Sequence, residues 1–370
     1  MKLSRKPGLL FFLLFLQPAC AGAAGAGPGS PASPSPRPGI QAPPASAYPP
    51  RGIGRKKVKV LVLIYDPVLE NHGGKKLHEF FGWNDPDRLT ALLIRDLREA
   101  SGGYADYEIA ARIERDACPP FLSGFRYDDE GILEAVRKKE WIRGDRSSYA
   151  RIFAENDLAS RIKATGATEV WLWGSPGFHW DEYAMRIPDR ERRLPPTKNP
   201  WFYRPYDIPD LGKTIWVMGF SYERGESEML ESYAHRCEGI LALAVGRGVW
   251  DGKRDDPWNR FTRVDRDHPG ASQVGGVHFA PNSERDYDWG NERYVWTQAL
   301  DWRNYPKLTG AGAWMNFRDG WGPDGATHHK WWLGLLPKAP GRTKWGWNNW
   351  WRYILDFDAA VPPPGDGKSP

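Results

Sequence analysis

A nearly continuous run of apolar residues at positions 58–64, Val-Lys-Val-Leu-Val-Leu-Ile, constrains the fold more than any other segment. Such a run is typical of a strand that is buried on both faces, as in parallel sheets. Strands alternating with helices indicate βαβ units. We therefore predict a doubly wound, mostly parallel, flavodoxin-like α/β sheet. Its further strands are expected at 104–113, 168–173 and 213–220, and its helices at 87–100, 129–139, 149–165 and 226–245.

The N-terminal part of the chain has the composition of an export leader followed by a tether. Three cations precede an apolar run at 9–16, and small residues follow, which predicts a secretory signal peptide at 1–23. Lipid anchoring through Cys20 stays open but is less favoured than release, because Gln17 stands where a lipoprotein signal has a branched apolar residue. Positions 24–55 are rich in Pro, Ala and Gly, which predicts a disordered tether.

The remaining chain divides by composition into three parts. We predict an α/β core at 56–250, a Trp-rich C-terminal lobe at 251–360 that packs on the core, and a disordered tail at 361–370. Part of the net charge of +5 belongs to the leader and tether, so we expect no nucleic-acid partner. We also expect no transmembrane segment in the mature chain. Cys118 and Cys237 remain after cleavage, either as one disulfide or as buried thiols.

Tryptophan is unusually abundant, with 20 residues that lie mostly in the C-terminal two thirds of the chain. Adjacent residues point in different directions in strands and helices, so one member of a pair such as Trp331-Trp332 could face a groove. Flat aromatic faces suit the apolar faces of sugar rings. Trp180, Trp331 and Trp332 are therefore predicted contacts to a glycan or cell-envelope polymer. A Trp-heavy core is the favoured alternative.

Polar side chains follow three of the predicted strands, in the loops at 65–74, 174–182 and 221–225. In open parallel sheets, ligands bind outside the carboxyl ends of the strands. Carboxylates and imidazoles in different surroundings can act there as acid and base. The predicted catalytic residues are Glu223, His179 and Glu182 from these loops and His278 from the C-terminal lobe.

Glu223 is the preferred general acid or base, because it follows the fourth predicted strand directly and has Arg224 beside it. Arg224, Asp66 and Glu70 are predicted to contact substrate. The glycines of these loops do not have the spacing of a dinucleotide or phosphate-binding loop, so we predict no nucleotide cofactor.

The long helix predicted at 226–245 carries Glu228, Glu231 and His235 on one stripe. A glutamate and a histidine on adjacent turns can bind a divalent metal such as zinc, with a third ligand from another histidine. The apolar residues of this helix are centred nearly opposite the stripe, so we expect the stripe to point away from the sheet. It is then a solvated ion-pair row, or a cleft site if the C-terminal lobe covers it.

Asp286 and Asp288 alternate as in a calcium loop, although the later bidentate glutamate of an EF-hand is absent. They are candidate calcium ligands, and an ordinary turn is the favoured alternative.

Three functions remain open on these grounds. The first is an exported hydrolase of a glycan or cell-envelope polymer that uses carboxylate and histidine chemistry. The second is a metal-dependent peptidase or amidase. The third is a non-catalytic glycan-binding or envelope structural protein.

Overall fold

The computed structural model describes residues 54–197, 199 and 202–362. The predicted signal peptide lies outside these residues, as do the tether up to position 53 and the tail from position 363. Among the described helices, none is both long and apolar enough to cross a membrane. The two cysteines of this part are buried free thiols.

Strands and helices alternate through the first two thirds of the described chain. The strands are β1 Lys56–Tyr65, β2 Val68–Leu69, β3 Lys75–Lys76, β4 Ala105–Arg115, β5 Glu169–Gly174, β6 Tyr183–Arg186, β7 Ile215–Ser221, β8 Val295–Thr297, β9 Ala313–Met315, β10 Lys338–Thr343 and β11 Gly346–Asn349. The α-helices are α1 Leu77–Phe81, α2 Pro86–Ala100, α3 Asp129–Lys138, α4 Tyr149–Glu155, α5 Leu158–Thr165, α6 Arg190–Arg193, α7 Glu226–Ala244, α8 Pro257–Phe261, α9 Gly325–Leu335, α10 Trp351–Leu355 and α11 Phe357–Ala360. Short 3-10 helices lie at Glu70–His72 and Ala299–Asn304.

The central sheet has five strands in the order β4-β1-β5-β7-β6. The first four of these strands are parallel, and only β6 runs antiparallel, at the edge beside β7. The mixed α/β architecture with a mostly parallel sheet is thereby confirmed. If these five strands are numbered 1 to 5 along the chain, their order across the sheet is 2-1-3-5-4. The first three positions match a flavodoxin-like sheet, whereas the antiparallel edge strand does not.

Side chains of β1 alternate between the two faces of the sheet, which are both covered. Val60 and Val62 lie in a core shared with α2 and α7. Leu61 and Leu63 lie in a second core with α3, α4 and α5. This two-sided burial explains why the sequence of β1 is apolar at nearly every position.

The helix predicted at 149–165 is interrupted, and the prediction of one continuous helix is wrong. The amide of Asn156 donates hydrogen bonds to the Ile152 carbonyl and the Tyr65 hydroxyl, and Asp157 adopts a left-handed φ of 49°. These contacts end α4 and start α5. The prediction also missed β6, because a four-residue edge strand has too few side chains to show a periodic pattern.

The segment from α8 to α11 packs on the outer side of α7 and completes the first core. Trp258, Trp302, Trp332, Trp350 and Trp351 are all buried in that core together with residues of α2 and α7. The high tryptophan content of the C-terminal segment therefore supplies core volume. Because α7 lies between the sheet and this segment, it is buried on nearly all sides.

Candidate metal centre

Glu231 and His235 lie one turn apart on α7, on the side that the C-terminal segment covers. Their side chains keep only 10% and 20% of their surface exposed. The stripe predicted on this helix is therefore enclosed over these two residues. An enclosed carboxylate needs partners that replace its hydration, and the partners come from the C-terminal segment.

His278 reaches this pair from a tight loop that begins with Gly275 and Gly276. Gly275 has a φ of 87°, and a Cβ atom there would lie 2.2 Å from the carbonyl oxygen of Phe279, so only glycine fits. Two side chains of α9 hold the loop: the Trp332 indole N–H donates to the Gly275 carbonyl at 3.0 Å, and His328 donates to the Gly276 carbonyl at 3.0 Å.

Glu231, His235 and His278 form a triad whose ligand atoms converge on one point. The Nε2 atoms of the two histidines are 3.0 Å apart. Oε1 of Glu231 lies 2.9 Å from Nε2 of His278 and 3.8 Å from Nε2 of His235. Tetrahedral zinc with bonds of about 2.0–2.2 Å separates its ligand atoms by roughly 3.3–3.6 Å. The three residues could hold such an ion.

Each histidine has a carboxylate on its other ring nitrogen. Nδ1 of His235 is 2.9 Å from Oε2 of Glu238, and Nδ1 of His278 is 3.5 Å from Oδ1 of Asp286. A carboxylate only accepts hydrogen bonds, so it fixes the hydrogen of a neutral imidazole on Nδ1 and leaves a lone pair on Nε2. Metal-binding histidines have this arrangement, in which a carboxylate or carbonyl orients the ring from behind.

Tyr287 and Glu182 lie beside the triad. The Tyr287 hydroxyl is 3.0 Å from Oε1 of Glu231 and 3.2 Å from Nε2 of His278, and its backbone φ of 58° is left-handed. Oε2 of Glu182 is 3.9 Å from Nε2 of His235, and 46% of the Glu182 side chain is exposed. Glu182 follows β5 in the chain, so one of the predicted strand-tip acids does meet the α7 stripe.

The titratable groups of this cluster perturb one another. Burial opposes ionisation of Glu231, but the neighbouring imidazoles of His235 and His278 outweigh it and hold the Glu231 pKa far below its ordinary value. Burial also opposes protonation of His235, yet the carboxylates of Glu182, Glu231 and Glu238 raise its pKa well above 6.5.

Glu182 differs from Glu231, since loss of hydration dominates and raises its pKa although part of its surface is open. Arg224 is near enough for its charge to counteract this increase. A carboxyl group with a raised pKa next to an open metal position is suited to exchange protons with a bound water or leaving group.

The remaining predicted strand-tip residues have other surroundings. Asp66 is buried and accepts hydrogen bonds from His78, through Nδ1 at 2.5 Å and through the backbone N–H at 3.1 Å. Glu70 lies exposed in a 3-10 turn. Glu223 is exposed, and Arg224 is 3.9 Å from its carboxylate.

His179 and Trp180 also belong to other parts of the molecule. Nδ1 of His179 lies 3.1 Å from the carbonyl of Asp145. The Trp180 ring packs where a Cβ atom of Gly219 would lie, within 2.4 Å. These residues fill space around the carboxyl end of the sheet and make their contacts away from the triad.

The predicted contacts of the C-terminal lobe are mainly internal. Trp332 is fully buried, so neither of its faces is open to a ligand, whereas Trp331 is half-buried and packs against Trp321. Asp288 accepts hydrogen bonds from the backbone N–H of Glu284 and from the Asn291 amide, as in a turn. Asp286, in contrast, faces His278.

Two residues of this cluster, Glu238 and Tyr287, were not predicted from the sequence. Glu238 continues the stripe of Glu231 and His235 at the next helical step, so the same spacing could have identified it. Tyr287 stands between Asp286 and Asp288, and no spacing rule distinguishes it from the other tyrosines of the chain.

In comparisons with known proteins, no family model matches the chain, and neither a curated protein nor a solved structure shows significant similarity to it. The chemistry of the cluster therefore has to be inferred from its own geometry.

Proposed function

We propose that the protein is a metal-dependent hydrolase with zinc held by Glu231, His235 and His278. The observation that carries the proposal is the pair of imidazole Nε2 atoms that face each other at 3.0 Å, with a carboxylate 2.9 Å from one of them. Two imidazoles and one carboxylate suit zinc, whereas calcium prefers six to eight oxygen ligands. Three protein ligands leave a coordination position for water or substrate, as in catalytic zinc sites.

Zinc bound there would supply a Lewis acid and a water molecule of lowered pKa. The roles of the chain's own residues follow from their positions. Glu182 accepts a proton from the attacking water and returns it to the leaving group, because its carboxylate is partly open and its pKa is raised. The Tyr287 hydroxyl, half-exposed at the triad, donates a hydrogen bond to the oxygen that becomes negative.

The substrate class follows from the sequence expectations alone. A signal peptide and tether would place the domain outside the cell, where peptides and glycans of the cell envelope are the available polymers. A peptide or amide bond is the preferred target, since a zinc ion polarises a carbonyl oxygen directly. A glycan polymer is the second candidate, and the predicted contacts Trp180 and Trp331, which are both half-buried, keep some surface for it.

The test begins with elemental analysis of protein purified without chelator. We expect one equivalent of zinc in the wild type, none in Glu231→Gln, and one in Glu223→Gln, where an exposed carboxylate outside the triad is changed in the same way. Iron in place of zinc would contradict the hydrolase, because two histidines and one carboxylate also bind iron in oxygenases. Absence of any metal would contradict the metal centre.

Activity is then measured on peptides, peptidoglycan and polysaccharides. We expect Glu182→Gln to keep its zinc and lose turnover by about 100-fold or more, the usual contribution of a general acid or base. Tight binding of a polymer that is cleaved by neither the wild type nor Glu182→Gln would favour the non-catalytic glycan-binding alternative.

A further inference from the structure

Glu238 is buried one turn after His235 on α7, and both of its carboxylate oxygens are used. Oε2 lies 2.9 Å from Nδ1 of His235, and Oε1 accepts the backbone N–H of Val277 at 2.8 Å. Only 6% of the residue is exposed. One side chain thus contacts a triad histidine on the helix and the residue that precedes the other triad histidine in the loop.

The two contacts have separate consequences for the triad. The bond to Nδ1 selects the tautomer of His235 in which Nε2 carries a lone pair. The bond to Val277 holds the loop at the position from which the next residue, His278, reaches His235. A buried carboxylate needs both donors, because an ionised group without hydrogen-bond partners is costly in the interior.

We propose that Glu238 is the positioning residue of the metal centre. It sets the tautomer of one ligand and the location of the other before metal binds, so the metal affinity of the site depends on it. The inference rests on the proposed zinc site. It adds that a residue outside the coordination sphere controls occupancy of the site.

Gly276 provides an independent way to disturb the same carboxylate. A Cβ atom at this position would lie 3.1 Å from Oε1 of Glu238, close enough to displace the carboxylate by a few tenths of an ångström. Gly276→Ala therefore moves the acceptor without changing its charge or any triad residue.

The experiment measures the zinc dissociation constant by competition with a chromophoric chelator. In Glu238→Gln, the side chain has one acceptor and one donor group, so it faces one of the two N–H groups with another N–H. We expect zinc affinity to fall by about 10- to 100-fold, the usual effect of changing an outer partner of a ligand histidine. Gly276→Ala should lower it less, and Glu134→Gln on the exposed face of α3 should leave it unchanged.

Thermal melts of the chelated proteins separate positioning from general destabilisation. Unchanged zinc affinity in both Glu238→Gln and Gly276→Ala would overturn the positioning role while leaving the zinc site intact. A wild type that binds no zinc would instead overturn the site itself. If Glu238→Gln does not fold, Gly276→Ala decides, with a weaker affinity at an unchanged melt as the supporting result.

Discussion

Two groups of histidines and carboxylates occupy different regions of this protein. At the carboxyl end of β1, His78 pairs through Nδ1 with the buried Asp66, which also accepts the backbone N–H of His78 at the start of α1. Over α7, His235 of the helix and His278 of the neighbouring loop turn their Nε2 atoms toward each other, and that of His278 also lies against Glu231.

The two groups differ in whether their polar atoms all have hydrogen-bond partners within the protein. The Asp66–His78 pair contains one carboxylate and one imidazole, and both carboxylate oxygens accept hydrogen bonds from His78 at the first turn of a helix. The triad brings two Nε2 atoms and a carboxylate to one point, where a proton or a cation is needed between them. Proximity of acid and imidazole is therefore a weaker sign of a metal site than convergence of lone pairs.

Removing one histidine from each group should separate them most clearly. We expect His235→Ala to abolish stoichiometric zinc, since two ligands remain, whereas His78→Ala should keep it. The second variant should instead lose about 1–3 kcal/mol of unfolding free energy, because Asp66 loses a buried partner. Elemental analysis and chemical denaturation measure the two effects. Loss of zinc from His78→Ala would contradict the assignment of the metal to the triad and of the Asp66–His78 pair to a structural role.

Metal removal should affect the stability of the wild type through the triad alone. Zinc at 1,000 times its dissociation constant adds about 4 kcal/mol to the unfolding free energy, which corresponds to roughly 10 °C in Tm for a domain of this size. EDTA should remove this increment. His278→Ala should melt at the same temperature with and without EDTA, and an EDTA effect that persists in this variant would place the metal elsewhere.

The pH dependence of stability should depend on His328 and His329, the two buried histidines of α9 near the triad. Burial lowers the pKa of His328 to about 3 and of His329 to about 4. Below about pH 6.5 the unfolded chain binds protons that the folded protein does not. The free energy of unfolding therefore decreases as the pH is lowered, by up to about 1.4 kcal/mol per pH unit for each histidine.

This loss should extend from about pH 6.5 to about pH 4 for His329 and to about pH 3 for His328, measured by denaturation in EDTA. His328→Gln keeps a donor for the Gly276 carbonyl and removes one titration, so its stability should fall less steeply. The raised pKa of His235 acts above pH 6.5, where its contribution is lost as the pH increases. Equal acid slopes for the variant and the wild type would contradict a neutral, buried His328.

The smallest effect is expected from Tyr287→Phe. The hydroxyl makes two hydrogen bonds at the triad, but the side chain is exposed enough for water to replace them. Zinc affinity should change by about fivefold or less, which corresponds to about 1 kcal/mol. Turnover should fall more than affinity if the hydroxyl stabilises the transition state. A variant that loses zinc would make Tyr287 a ligand rather than a neighbour.

The sequence predicted the sheet well because its signals are local. The apolar run of β1 and the amphipathic patterns of α2 and α3 are each contained within one segment, and their bounds agree with the structure to within three residues. The break between α4 and α5 was missed because a side chain contact with Tyr65, far away in the chain, helps to fix it.

The site was predicted less completely. Glu231 and His235 could be placed on one helical stripe, and His278 was predicted to be a catalytic residue of the C-terminal lobe. Their convergence could not be predicted, because it depends on how the C-terminal segment packs over α7. Glu182 was assigned to a strand-tip site, and the structure instead places its carboxylate beside His235.

The alternation of strands and helices, the stripe of Glu231 and His235 and the abundance of tryptophan can all be recognised in the sequence. These features follow from side-chain chemistry and short-range periodicity. Tertiary packing, in contrast, determines that most tryptophans of the C-terminal segment fill a core and that one face of α7 is enclosed. It also decided that the Nε2 atoms of residues 43 positions apart in the chain meet at 3.0 Å. Such contacts depend on packing between distant segments, which no local pattern encodes.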